Sequence, residues 1–188
     1  MTASDVNVST SSHSGLAVLA APVVIGVGVA VGLGVYGSLH EPALYGISVA
    51  GFSSGAAAKS WLTTAALVLA VVQVVTGAGL WGRFGLGDRS WVAPLHRWSG
   101  RLAVLTVLPV VTQCLYAFGF QHDSPRVLAH SLLGCLFFGA FTAKMLALRP
   151  KTMPGWAFPL LGGLLFTVLA GVWLTSALWF FTTTGVTR

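Results

Sequence analysis

Charge is what this sequence has least of. Of 188 residues only 4 are acidic and 10 basic, 7% charged in all, against about 25% in an ordinary soluble domain. A surface that must dissolve cannot be made from so little, which excludes a soluble enzyme, and a 55% hydrophobic composition excludes a disordered chain. The acidic residues Asp5, Glu41, Asp88 and Asp123 all lie outside the long apolar runs. Paired carboxylates, a Ser-His-Asp site and a carboxylate relay for protons or cations therefore have no material. Basic residues occur singly, so the net charge of +6 is not the footprint of a nucleic-acid binder. Cysteine is scarce too: Cys114 and Cys135 form no CxxC, disulfide framework or zinc spacing. They read as two small buried hydrophobes, with facing thiols or a disulfide as the alternative.

What is present is apolar length. Mean hydropathy is +0.85, and five runs of the roughly 20 residues that a helix needs to cross about 30 Å of hydrocarbon lie near 16–37, 61–81, 94–120, 126–148 and 156–181. They are too long and too unalternating for barrel strands. The expected fold class is all-α, an integral membrane bundle of five transmembrane helices: a disordered polar tail over 1–15 and one transmembrane domain over 16–188. The tail contains no Lys or Arg, so the first run is expected to stay as a span rather than act as a cleaved signal.

Arg83, Arg89, Arg97, Arg101, Lys144, Arg149 and Lys151 fall by the loops joining spans two to three and four to five, while Lys59, Arg126 and Arg188 lie on the other side. That asymmetry predicts a multi-pass protein of the cell membrane with a cytoplasmic amino terminus and an outer carboxyl terminus. Trp61, Trp81, Trp91, Trp98, Trp156 and Trp179 sit near predicted ends as interfacial anchors, and only Trp173 lies well inside. The outer connection Ser38 to Ser60 is expected to lie on the membrane or re-enter it, with Lys59 snorkelling to the interface. Gly28 and Gly32 make a GxxxG face for a neighbouring helix or a second copy. Pro22, Pro109 and Pro159 are expected to kink or widen their helices.

The ionisable groups within or at the ends of the spans include His96 and His130, each in a His-x-x-x-Gly pattern with Gly100 and Gly134. Residues four apart share a helix face, so an imidazole can address a flat ligand while the glycine leaves room for it. Close helix packing is the other use of the same spacing. At 1.5 Å per residue, His96 lies about 36 Å below Phe120 and His130 about 6 Å below Arg126, so the two rings belong to opposite membrane faces and cannot clamp one haem. Partners at each level are His40 or His122 for His130 and Met145 for His96, with Arg97 and Arg101 available to haem propionates.

This central stretch resembles the cytochrome b561 and ferric-reductase type of membrane proteins, in which helix-borne histidines near a following glycine ligate b haem. The resemblance implies His96 and His130 as axial ligands in opposite leaflets, but spans two and five hold no histidine, so half of the ligand set is matched. The chain as a whole resembles an uncharacterised family of actinobacterial integral membrane proteins over residues 40–181, through Lys59-Ser60-Trp61-Leu62-Thr63, His96 to Arg101, Arg126 to Gly134, Phe138 to Phe141, Ala143-Lys144-Met145 and Trp173 to Trp179. The expected function is a b-type cytochrome-like subunit in transmembrane electron transfer, working with a quinone, an iron–sulfur protein or another redox partner. The alternative is a scaffold or accessory subunit without cofactor, which packs against partners or a second copy through its glycine faces.

Overall fold

A computed structural model describes the backbone of residues 3–43 and 51–187, and the side chains from residue 15 onward within those ranges. The described residues are helices and connecting turns, with no strand among them. Five helices are long and apolar enough to cross a membrane: Gly15–Leu39, Gly55–Leu80, Val92–Phe118, Pro125–Ala147 and Ala157–Thr184. We number them α1 to α5. Helical backbone of α1 already begins at Ala3, inside the stretch expected as a polar tail. Residues 44–50 of the connection between α1 and α2 lie outside the described residues.

Local chemistry sets the starts. Ser54 accepts a hydrogen bond from the Ala57 amide at 3.1 Å and opens α2. Ser124 does the same for Val127 at 3.3 Å, with Pro125 just inside α4, where its missing N–H costs nothing. The prolines differ in effect. Pro159 is the third residue of α5, within the first turn, whose amides have no intrahelical partner, so it does not interrupt the ladder. Pro109 lies deep in α3, and the helix widens soon afterwards into a π turn, Gln113–Phe118. A second π turn, Leu174–Leu178, interrupts α5 near the same end of the bundle.

In space α1 packs on α4, α2 on α3, and α5 lies against both α2 and α4. Ala66, Val107, Phe137, Val168 and Leu169 join α2 to α5 in the middle of the bundle, and Leu19, Ala143, Ala147, Met153, Ala157 and Leu161 close the end away from His130. The interior Trp173 donates its indole N–H to Thr64 Oγ1 at 2.9 Å and so ties α5 to α2. Large apolar side chains such as Val24, Leu105 and Leu160 face outward, as lipid requires. The α1–α4 crossing is made by Gly26 and Gly139, where a Cβ on either would come within 2.6 Å of the other's carbonyl oxygen. The GxxxG face expected to meet a helix, Gly28 and Gly32, has nothing within 4 Å among the described residues: it lies on the outer side of α1.

Candidate functional site

Two histidines near opposite ends of the bundle are held in the same way. His96, on the first turns of α3, meets α2, where Thr76 Oγ1 lies 2.9 Å from its Nδ1. The Thr76 hydroxyl hydrogen is already directed at the Val72 carbonyl, 2.6 Å away. With that hydrogen on the Val72 carbonyl the oxygen accepts, so Nδ1 carries the proton and Nε2 the lone pair. His130, on the first turns of α4, meets α5. Its Nδ1 is 3.2 Å from Thr175 Oγ1, and that hydroxyl donates to the Gly171 carbonyl at 2.8 Å. The same reasoning fixes the same tautomer. Holding Nδ1–H and leaving Nε2 free is the arrangement in which an imidazole serves a metal.

The two sites differ in space. Around His96 the room left by Gly100 is filled by the Gln73 amide: a Cβ at Gly100 would stand 3.1 Å from Gln73 Oε1. Gln73 Nε2 in turn donates to the His96 carbonyl and, at 2.8 Å, to Ser99 Oγ. The His96 ring lies over Gly77 as well, so this pattern serves close helix packing. Gly134, by contrast, has nothing among the described residues within 4 Å of where its Cβ would be, and it lines with His130 a cavity of about 290 Å³.

That cavity is bounded by the two π turns and by α2 and α4, and its wall is mostly apolar. Two cations belong to it. Arg126, one turn before His130, donates Nη1 to the Thr175 carbonyl at 2.6 Å and stacks its guanidinium 4.0 Å above the Trp179 ring. Lys59 lines the cavity as well, with its ammonium 5.4 Å over the Phe118 ring. Ser60, fully buried in the same wall, has an Oγ without a hydrogen-bond partner among the described residues. A roof is formed by Gly119 to Gln121. Gly119 takes φ 67°, a left-handed value that suits glycine, and Ser131 holds Gln121 through its amide at 3.2 Å and its carbonyl at 2.9 Å.

The other candidates fall elsewhere. His40 stacks on Tyr36 and donates Nε2–H to the Tyr116 carbonyl at 3.1 Å, and it is not in the cavity wall. His122 is exposed in the turn before α4. Met145 is exposed on α4. Arg97 and Arg101 are exposed at the His96 end, Arg101 stacked 5.0 Å from the Trp98 ring. Cys114 and Cys135 both line the cavity as free thiols. No group of three His, Cys, Asp or Glu side chains with metal-binding geometry occurs among the described residues. Sequence reasoning missed Lys59, Arg126 and Thr175 as site residues. Only Arg126 was signalled, by its position four residues before His130 on the same helix face.

A family model described as a family of unknown function (DUF6529) matches residues 18–188. No curated protein and no solved structure matches. The match bears out an uncharacterised family and says nothing of cytochrome b561 or ferric reductases.

Proposed function

We propose, on the premise that the chain belongs to the DUF6529 family and inherits no activity from it, that this membrane protein holds one b-type haem against His130 and serves as an electron-transfer subunit. The observation that carries the reading is the pairing of a tautomer fixed by Thr175 with the open space over Gly134 in one apolar cavity. His130 Nε2 would hold the haem iron, and Arg126 and Lys59 would meet the two propionate carboxylates. The group when bound supplies a reversible one-electron couple, while the chain supplies the ligand, the charges and a dry wall.

At about 290 Å³ the cavity lies at the lower edge of small-molecule sites. A macrocycle is larger, so uptake requires the cavity wall to open. The packed surroundings of His96 fit no such group, and a second haem at that end is no part of the proposal. The charge asymmetry of the loops favours a cell-membrane protein with the cavity in the outer leaflet and the amino terminus inside. A redox protein or a quinone is the natural exchange partner. The second reading, an accessory subunit that packs through α1, is favoured by one observation: Gly28 and Gly32 are exposed with open space above them.

The test is an absorbance spectrum of protein purified in detergent from cells supplied with haem, oxidised and then reduced with dithionite. A Soret band that shifts on reduction, lost in His130→Ala and kept in His96→Ala, supports the reading. A featureless spectrum from folded protein removes it and leaves the accessory subunit.

A further inference from the structure

A second cleft, of about 270 Å³, lies between the first turns of α2 and the stretch of α3 where Pro109 leads into the π turn. Ala58, Leu62, Pro109 and Val110 make its apolar wall, and Lys59 and Gln113 are its polar members beside Thr112. Thr112 is already bonded to the Leu108 carbonyl at 2.9 Å. Gln113 is not satisfied: it is 5% exposed, and its Nε2 has no hydrogen-bond partner among the described residues. A buried amide donor left alone is costly, and natural proteins keep few of them. Here the unpartnered donor opens a π turn, a distortion that recurs at functional sites.

The chemistry of the occupant follows from the groups. An amide N–H and an ammonium are donors, so the ligand presents an acceptor oxygen. The remaining wall is apolar and belongs to a chain that spans the membrane, so the ligand comes from the lipid phase. Only one cation is present, and the proposed function already assigns it a propionate, which disfavours a phosphate as the group recognised. We infer that this cleft receives the head of a lipid-dissolved quinone, one carbonyl oxygen accepting from Gln113 Nε2 once that side chain, now covered, turns to face the cleft, with Lys59 beside it. The volume suits a single ring head with its tail left in lipid. The choice of a redox carrier rests on the proposed electron-transfer function, but the binding itself needs no haem. Lys59 lines both cavities, which puts the two sites side by side at one end of the bundle.

The full chain in quinone-free nanodiscs, with and without haem, is titrated with a short-tailed benzoquinone or naphthoquinone labelled with carbon-13 at the carbonyls. Binding is read from the infrared carbonyl stretch and from thermal stabilisation. Wild type is expected to lower the stretch of the bound carbonyl, and Gln113→Leu to bind about tenfold more weakly, one hydrogen bond's worth. Without quinone, Gln113→Leu is expected to melt no lower than wild type, because an orphan amide has been replaced by an apolar side chain of similar size. Equal affinity in the variant, no quinone binding to wild type, or stabilisation by ester-linked but not ether-linked phospholipid in place of quinone would each overturn the inference. Failure here with a normal haem spectrum leaves the haem reading intact, and quinone binding by a chain that takes up no haem sinks the haem reading alone.

Discussion

The contact between α1 and α4 turns on two hydrogens. In Gly139→Ala the new methyl carbon would sit 2.6 Å from the Gly26 carbonyl oxygen and 2.9 Å from Ala30 Cβ, where ordinary contact begins at 3.4 Å. The helices must part by about 0.8 Å at their crossing, an overpacking that typically costs about 1–3 kcal/mol. Neither obstacle is the flexible end of a side chain, so the upper half of that range is expected. At about 2–4 °C per kcal/mol for a chain of this length, the melting temperature should fall by roughly 4–12 °C. Gly28→Ala and Gly32→Ala are the controls. Each puts a methyl into open space, and alanine favours a helix by about 0.5–1 kcal/mol over glycine, so both should melt at or above wild type. Differential scanning fluorimetry in one detergent, with circular dichroism to check helicity, makes the comparison. Gly139→Ala melting like wild type, or Gly28→Ala falling as far as Gly139→Ala, would refute the crossing.

Three further outcomes follow from the site. Gly134→Leu fills the space beside His130 and is expected to abolish haem uptake, with a circular dichroism melt within a few degrees of wild type. Thr175→Val removes the acceptor for His130 Nδ1–H at a cost of about 1 kcal/mol and lets the ring exchange tautomers, which nitrogen-15 NMR of labelled histidine should detect as a shift at His130 and none at His96. Ser60→Ala deletes a buried hydroxyl that has no partner, so haem-free protein should be as stable as wild type or more so in denaturant unfolding.

Much of the fold was legible because hydrocarbon thickness prescribes helix length. The fourth span, expected over 126–148, is Pro125–Ala147, and the third, expected over 94–120, is Val92–Phe118. The opposite placement of His96 and His130 followed from rise per residue, and the interior position of Trp173 from its distance to the span ends. What the residues could not say is which faces meet. In water an apolar stripe marks the face that packs, but lipid is as apolar as leucine, so the outward and inward sides of α1 look alike. The contact therefore lies at Gly26 while Gly28 and Gly32, two and six residues on, face outward. The two His-x-x-x-Gly patterns were equivalent as strings. They separated only when Gln73, on another helix, was found in the space beside Gly100, and nothing of that kind over Gly134. Thr175 is 45 residues from His130, and no spacing rule connects them.

One haem per chain, held by His130, is what the proposed function requires. Titration of haem-free protein in detergent with hemin, followed at the Soret band against protein concentration by amino-acid analysis, measures it directly. The account requires saturation at one equivalent in wild type and in His96→Ala, and none in His130→Ala. Saturation at two equivalents, uptake unaffected by His130→Ala, or no saturable uptake by folded wild type would contradict it.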